Sequence, residues 1–127
     1  MHTLLAALAA ALFVTFIGTH ALRPTTRLSW RLPALASLVF LGFSVHAVTS
    51  EGMLGFWPEH VHGAWGNQIW FDLLLAASIG WVTLVPRALR VGMQPWPWAL
   101  ALCLTGSIGL LAMLSRVLYL EDRAHIA

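Results

Sequence analysis

Lysine is missing from this chain and acids are scarce: all seven basic side chains of the Lys/Arg class are arginine, and Asp and Glu together number five. Charged residues make up 9% of the 127 positions, against about 25% in a water-soluble domain. An ordinary soluble enzyme, a coiled coil and a disordered chain are thereby excluded. The arginines are too few and too dispersed for a nucleic-acid surface. One cysteine, Cys103, excludes an intrachain disulfide and any paired-cysteine redox or zinc motif, and reads as a small packing residue. GxSxG, HExxH, a Gly-rich phosphate loop and paired acids within an apolar run are also missing, which removes the familiar hydrolase and nucleotide-using classes. No catalytic residue is assigned from the sequence.

What the chain has in abundance is apolar surface, at 59% of residues. Four apolar stretches cover residues 3–22, 32–49, 69–85 and 98–120, each about as long as a helix needs to cross a ~30 Å hydrocarbon core. The first lacks a positively charged lead-in and is expected as a retained span, not a cleaved signal. Lipid cannot hydrogen-bond a bare backbone, so the expected fold is all-α. It is an integral membrane antiparallel four-helix bundle, a single transmembrane domain over residues 1–127, with a short interfacial helix or lid in its outer loop.

Arg23, Arg27 and Arg31 lie between the first two stretches, and Arg87 and Arg90 between the last two. The connection 50–67 has Glu51, Glu59, His60 and His62 but no arginine. The positive-inside rule then predicts a multi-pass protein of the bacterial inner membrane with this connection and both termini on the outer side. Trp30, Trp81, Trp96 and Trp98 would mark the inner interface, and Trp57, Trp65, Trp70 and Tyr119 the outer one.

The third and fourth stretches show facing small-residue stripes. Asp72, Ala76, Gly80 and Thr83 share one helical face, as do Ala101, Thr105, Gly109, Ala112 and Arg116. Small residues let membrane helices approach closely. In an antiparallel hairpin turning near Gln94, Asp72 meets Arg116, Ala76 meets Ala112 and Thr83 meets Thr105, with Gly80 beside Gly109. That register predicts a buried ion pair between Asp72 and Arg116. His46, near the outer end of the second stretch, falls at a similar depth and completes a candidate polar cluster. The cluster reads either as a clamp on the hairpin or as the floor of an outward-opening pocket.

In the outer connection, Phe56, Trp57, Val61 and Trp65 recur at helix-compatible spacing, and with Trp70 they form the candidate lid or docking patch. His60 and His62 beside Glu59 are candidate ligands for zinc or copper, although helical ligand pairs favour spacings of three or four. The alternative is a solvated interfacial pair. His20 and His46 lie toward opposite faces and cannot share one haem.

The run from Trp70 to Arg123 resembles a bacterial family of short four-span membrane proteins catalogued as a domain of unknown function. The resemblance covers about residues 68–123. Asp72, Leu73 and Ser78 carry it, together with Gly92–Met93, Gly106 or Gly109, and the ending Tyr119, Leu120, Asp122 and Arg123. The family pattern has a proline near Arg116, which this chain lacks. The resemblance implies four-span topology and no activity.

Two functions follow as expectations. The first is a small membrane accessory or assembly subunit, or a binder of a lipophilic molecule, without chemistry of its own. The second is an enzyme or carrier for an isoprenoid, quinone or carotenoid, using His46, Asp72 and Arg116. The sequence requires no cofactor and leaves lipid, quinone or pigment open; the expected partners are the bilayer and a larger membrane complex or a homo-oligomer.

Overall fold

The computed structural model describes residues 2–23 and 27–126, so Pro24, Thr25 and Thr26 of the first arginine-rich connection lie outside the described residues. Six helices form there, with no strand: α1 (His2–Leu22), α2 (Arg31–Glu51), α3 (Phe56–Val61), α4 (Gly63–Arg90), α5 (Pro95–Thr105) and α6 (Ser107–Ile126). Three of them, α1, α2 and α4, are long and apolar enough to cross a membrane. Leu12, Phe13, Leu38 and Ile79 stand exposed along them, an arrangement suited to acyl-chain solvent and costly in water.

The element boundaries follow local chemistry. α2 carries Pro33 near its start, where a missing N–H costs no helical bond. It ends at Gly52, whose φ of 85° an L side chain would resist. α4 closes with a Schellman turn: Gly92 N–H donates to the Leu89 carbonyl and Met93 N–H to the Ala88 carbonyl, at 3.1 and 2.9 Å. Gly92 supplies the positive φ, and Met93 and Ala88 are both buried against each other's cluster. Pro95 then opens α5 in its first turn.

The stretch 98–120 is not one crossing. It breaks at Gly106 (φ 59°, ψ −129°), and α5 and α6 fold back into a tight hairpin. A Cβ on Gly109 would lie 2.7 Å from the Ala101 carbonyl carbon, whereas positions that far apart on one straight helix are separated by about 12 Å. The reversal changes the direction of α6. Ser37 on α2 bonds Ile108, and Ser115 bonds Trp30, so α6 runs antiparallel to α2. Gly80 approaches Leu110 and Arg87 meets Glu121, so α6 runs in the same sense as α4.

α6 is the hub. It packs against α2, α4 and α5, while no Cα of α2 lies within 8 Å of α4. The core is small and sits where α4 ends: Leu84, Ala88, Met93, Met113 and Val117, flanked by Trp81 and Trp98. α1 brings no Cα within 8 Å of any other helix. α3 packs only on α4, so it does not cap the bundle as a lid would.

The expected antiparallel pairing of the third and fourth stretches is therefore corrected. Thr105–Gly106–Ser107 interrupts the fourth, so the facing stripes never meet. Gly80 meets Leu110, and Gly109 meets Ala101. Ala76, Thr83 and Thr105 are exposed, with both threonine hydroxyls donating to carbonyls of their own helices. Ala112 is half-buried on α6. The chain also does not return to the acidic connection, because α6 ends beside Arg87.

Gly109→Val should force the hairpin open and destabilise the protein by about 1–3 kcal/mol, the usual cost of overpacking. Gly42→Ala, in the interior of α2 with nothing within 4 Å of its Cβ position, should leave thermal unfolding in detergent unchanged or slightly raised. Equal melting temperatures for the two variants would contradict the hairpin.

Candidate functional site

A cleft of about 550 Å³ opens where α2, α5 and α6 converge. Trp30, just before α2, lines it with Ala34, Ser37 and Leu38 of α2, Trp98 of α5, and Ala112, Ser115, Arg116 and Tyr119 of α6. Two serines fix its walls. Ser37 Oγ donates to the Ile108 carbonyl at 3.0 Å and Ser115 Oγ to the Trp30 carbonyl at 2.9 Å. These hydroxyls are buried and satisfied, so the cleft is apolar between its ends.

The rim is cationic. Trp30 and Tyr119 meet edge to face with centroids 5.5 Å apart. The guanidinium of Arg31 lies 5.7 Å from the Trp30 ring, and those of Arg116 and Arg123 lie 5.8 and 5.6 Å from the Tyr119 ring, all within cation–π range. None of these three arginines forms a salt bridge among the described residues, and no carboxylate lines the cleft.

The ion pair that does form is Arg87 with Glu121. It is bidentate, with Nε and Nη2 donating to Oε1 and Oε2 at 3.0 and 2.6 Å. The pair borders a second opening lined by His20, Arg27, Asp122 and His125. The Arg87 hydrogen bond holds the Glu121 carboxyl below its ordinary value; partial burial opposes this, and the charges of Arg87, Arg90 and His125 add to it.

The expected cluster of His46, Asp72 and Arg116 does not assemble. All three side chains are exposed. Asp72 lies about 12 Å of helix before Gly80, while Arg116 lies about 9 Å beyond Leu110 in the opposite direction. His46 sits near the far end of α2, about 24 Å of helix from Trp30. The reversal at Gly106 is the cause: it moves Arg116 to the arginine-rich end and leaves Asp72 and His46 at the other.

The outer aromatic patch forms in part. Phe56 and His60 on α3 pack on Trp70 of α4, with His60 and Trp70 centroids 4.6 Å apart, and Phe56 also meets Trp57. Trp65 is exposed and outside this group. The metal expectation for His60 and His62 has no geometric support. His60 Nδ1 donates to the Phe56 carbonyl at 2.6 Å, His62 is exposed where α4 begins, and no three metal-binding side chains converge among the described residues.

Sequence reasoning missed Ser37, Ser115 and the Arg87–Glu121 pair. The available signal was the Thr–Gly–Ser triplet, a helix breaker, followed by a segment more polar than the one before it. No family model, curated protein or solved structure matches this chain.

Because the folded Glu121 carboxyl titrates lower than in the unfolded chain, its contribution is complete above the ordinary carboxylate pKa and lost as pH falls through the folded value. Glu121→Gln should cost at most about 1 kcal/mol near neutrality, since the pair is partly solvated. The melting-temperature gap between wild type and variant should close on acidification; a gap that persists in acid would show that the charge is not its source.

Proposed function

We propose that this chain is a small integral protein of the bacterial inner membrane that binds a lipophilic molecule without transforming it. The observation that supports this reading is the open, shallow groove between α2, α5 and α6, bordered by Trp30, Trp98 and Tyr119 and tied together by two buried serine bonds. A largely apolar groove with a few polar groups at one end suits a lipophilic molecule held partly by the surrounding bilayer. In this reading α1, α2 and α4 cross the bilayer and the α5–α6 hairpin enters and leaves on one side. Arg31, Arg87, Arg90 and Arg123 then share the cytoplasmic face, as the positive-inside rule favours.

A second reading, an assembly subunit, is favoured by α1. This membrane-length helix has no Cα neighbour within 8 Å on any other helix, leaving most of its surface, away from Phe16 and His20 at the second opening, for lipid or for a partner helix.

The cleft is tested by filling it. Wild type should copurify with a lipophilic molecule; Ala34→Phe projects a ring into the groove without removing a core side chain, and should strip that molecule while leaving the melting temperature within a few degrees. Unchanged retention in a folded Ala34→Phe protein would remove the reading. Sidedness is checked in a Cys103→Ser background, where single cysteines at Leu89 and Ala124 should be labelled from the same side of the membrane and one at Met53 from the other.

A further inference from the structure

The cleft reading leaves open what its occupant carries at the charged end, and the rim answers this. Arg31, Arg116 and Arg123 gather around two aromatic rings that meet edge to face, with no carboxylate in the lining and no salt bridge among the described residues to balance them. Three exposed cations on one rim with no acidic partner make the local field positive. An anion at the rim complements it. Arg116 is the best placed, because it is the guanidinium that itself lines the cleft. Its stacking on Tyr119 orients the group, and it donates no hydrogen bond among the described residues, so its planar fork is free for phosphate oxygens. Below it, Trp30, Trp98 and Leu38 offer an apolar bed for a chain.

We propose that the α2–α5–α6 cleft binds an anionic phospholipid, with its phosphate on Arg116 and an acyl chain between Trp98 and Leu38. Arg31 and Arg123 reinforce the field without lining the cleft. The proposal rests on the cleft reading above and adds the charge of the ligand to it. The occupant is a lipid and not a soluble anion because the phosphate site opens directly onto an apolar trough, as basic sites at membrane interfaces do for acidic lipids.

The test is native mass spectrometry of the intact protein in detergent, with phosphatidylglycerol and phosphatidylcholine of the same acyl composition. Wild type should retain phosphatidylglycerol about tenfold better, the scale of one charge-assisted contact. Arg116→Gln should bring the two lipids to within about twofold. Arg90→Gln, an exposed arginine away from the lining, should keep the preference and controls for general surface charge. Equal retention by wild type, a preference that survives Arg116→Gln, or an equal loss in Arg90→Gln would each overturn the proposal. So would inorganic phosphate at millimolar concentration binding in place of the lipid. If Ala34→Phe fails to reduce either lipid, the cleft reading itself fails; if it strips both while Arg116→Gln keeps the preference, only the phosphate assignment fails.

Discussion

The chain reversal at Gly106 governs where every charged group on α6 ends up. A helix that broke at this point without partners would leave polar backbone in an apolar setting, at a cost of several kcal/mol per group. Here Gly106 N–H donates to the Leu102 carbonyl at 2.7 Å, and Ser37 reaches across from α2 to the Ile108 carbonyl. Gly109 then lets the two arms touch through backbone. With the bend satisfied and close-packed, α6 can return alongside α4 and bring Glu121 to Arg87.

That return collects the arginines. Arg31, Arg87, Arg116 and Arg123 come from three different helices, yet the pairings of α6 with α2 and α4 carry them to one end of the structure. One carboxylate, Glu121, neutralises part of this charge. The remainder sits on the faces of Trp30 and Tyr119, where ring quadrupoles hold cations without cancelling them. A rim rich in uncompensated cations above an apolar cleft follows from the reversal, not from any local motif.

Much of the scaffold was legible in the sequence. Three apolar runs, the helical content and a short helix in the acidic connection all follow from hydropathy, periodicity and turn residues, and α2 (Arg31–Glu51) lies within two residues of its expected 32–49. The fourth run misled because length and hydropathy do not register a bend: α5 is almost wholly apolar and α6 begins so, and Gly106 passes for one more small residue. The matching stripes that suggested an Asp72–Arg116 pair were real periodicities on the wrong geometry. Ser37 and Ser115 were silent because a serine that bonds a distant carbonyl looks, in sequence, like any serine on an apolar face.

The hairpin also constrains the order in which the protein is built. At 11 residues, α5 is about 16 Å long, too short to be released across a bilayer as an independent span. Its apolar surface finds most of its shelter against α6, which follows it in the chain, and less against α4. α5 therefore cannot settle until α6 has been made, and any change that weakens the docking of α6 on Ser37 or Leu84 would leave the apolar face of α5 uncovered.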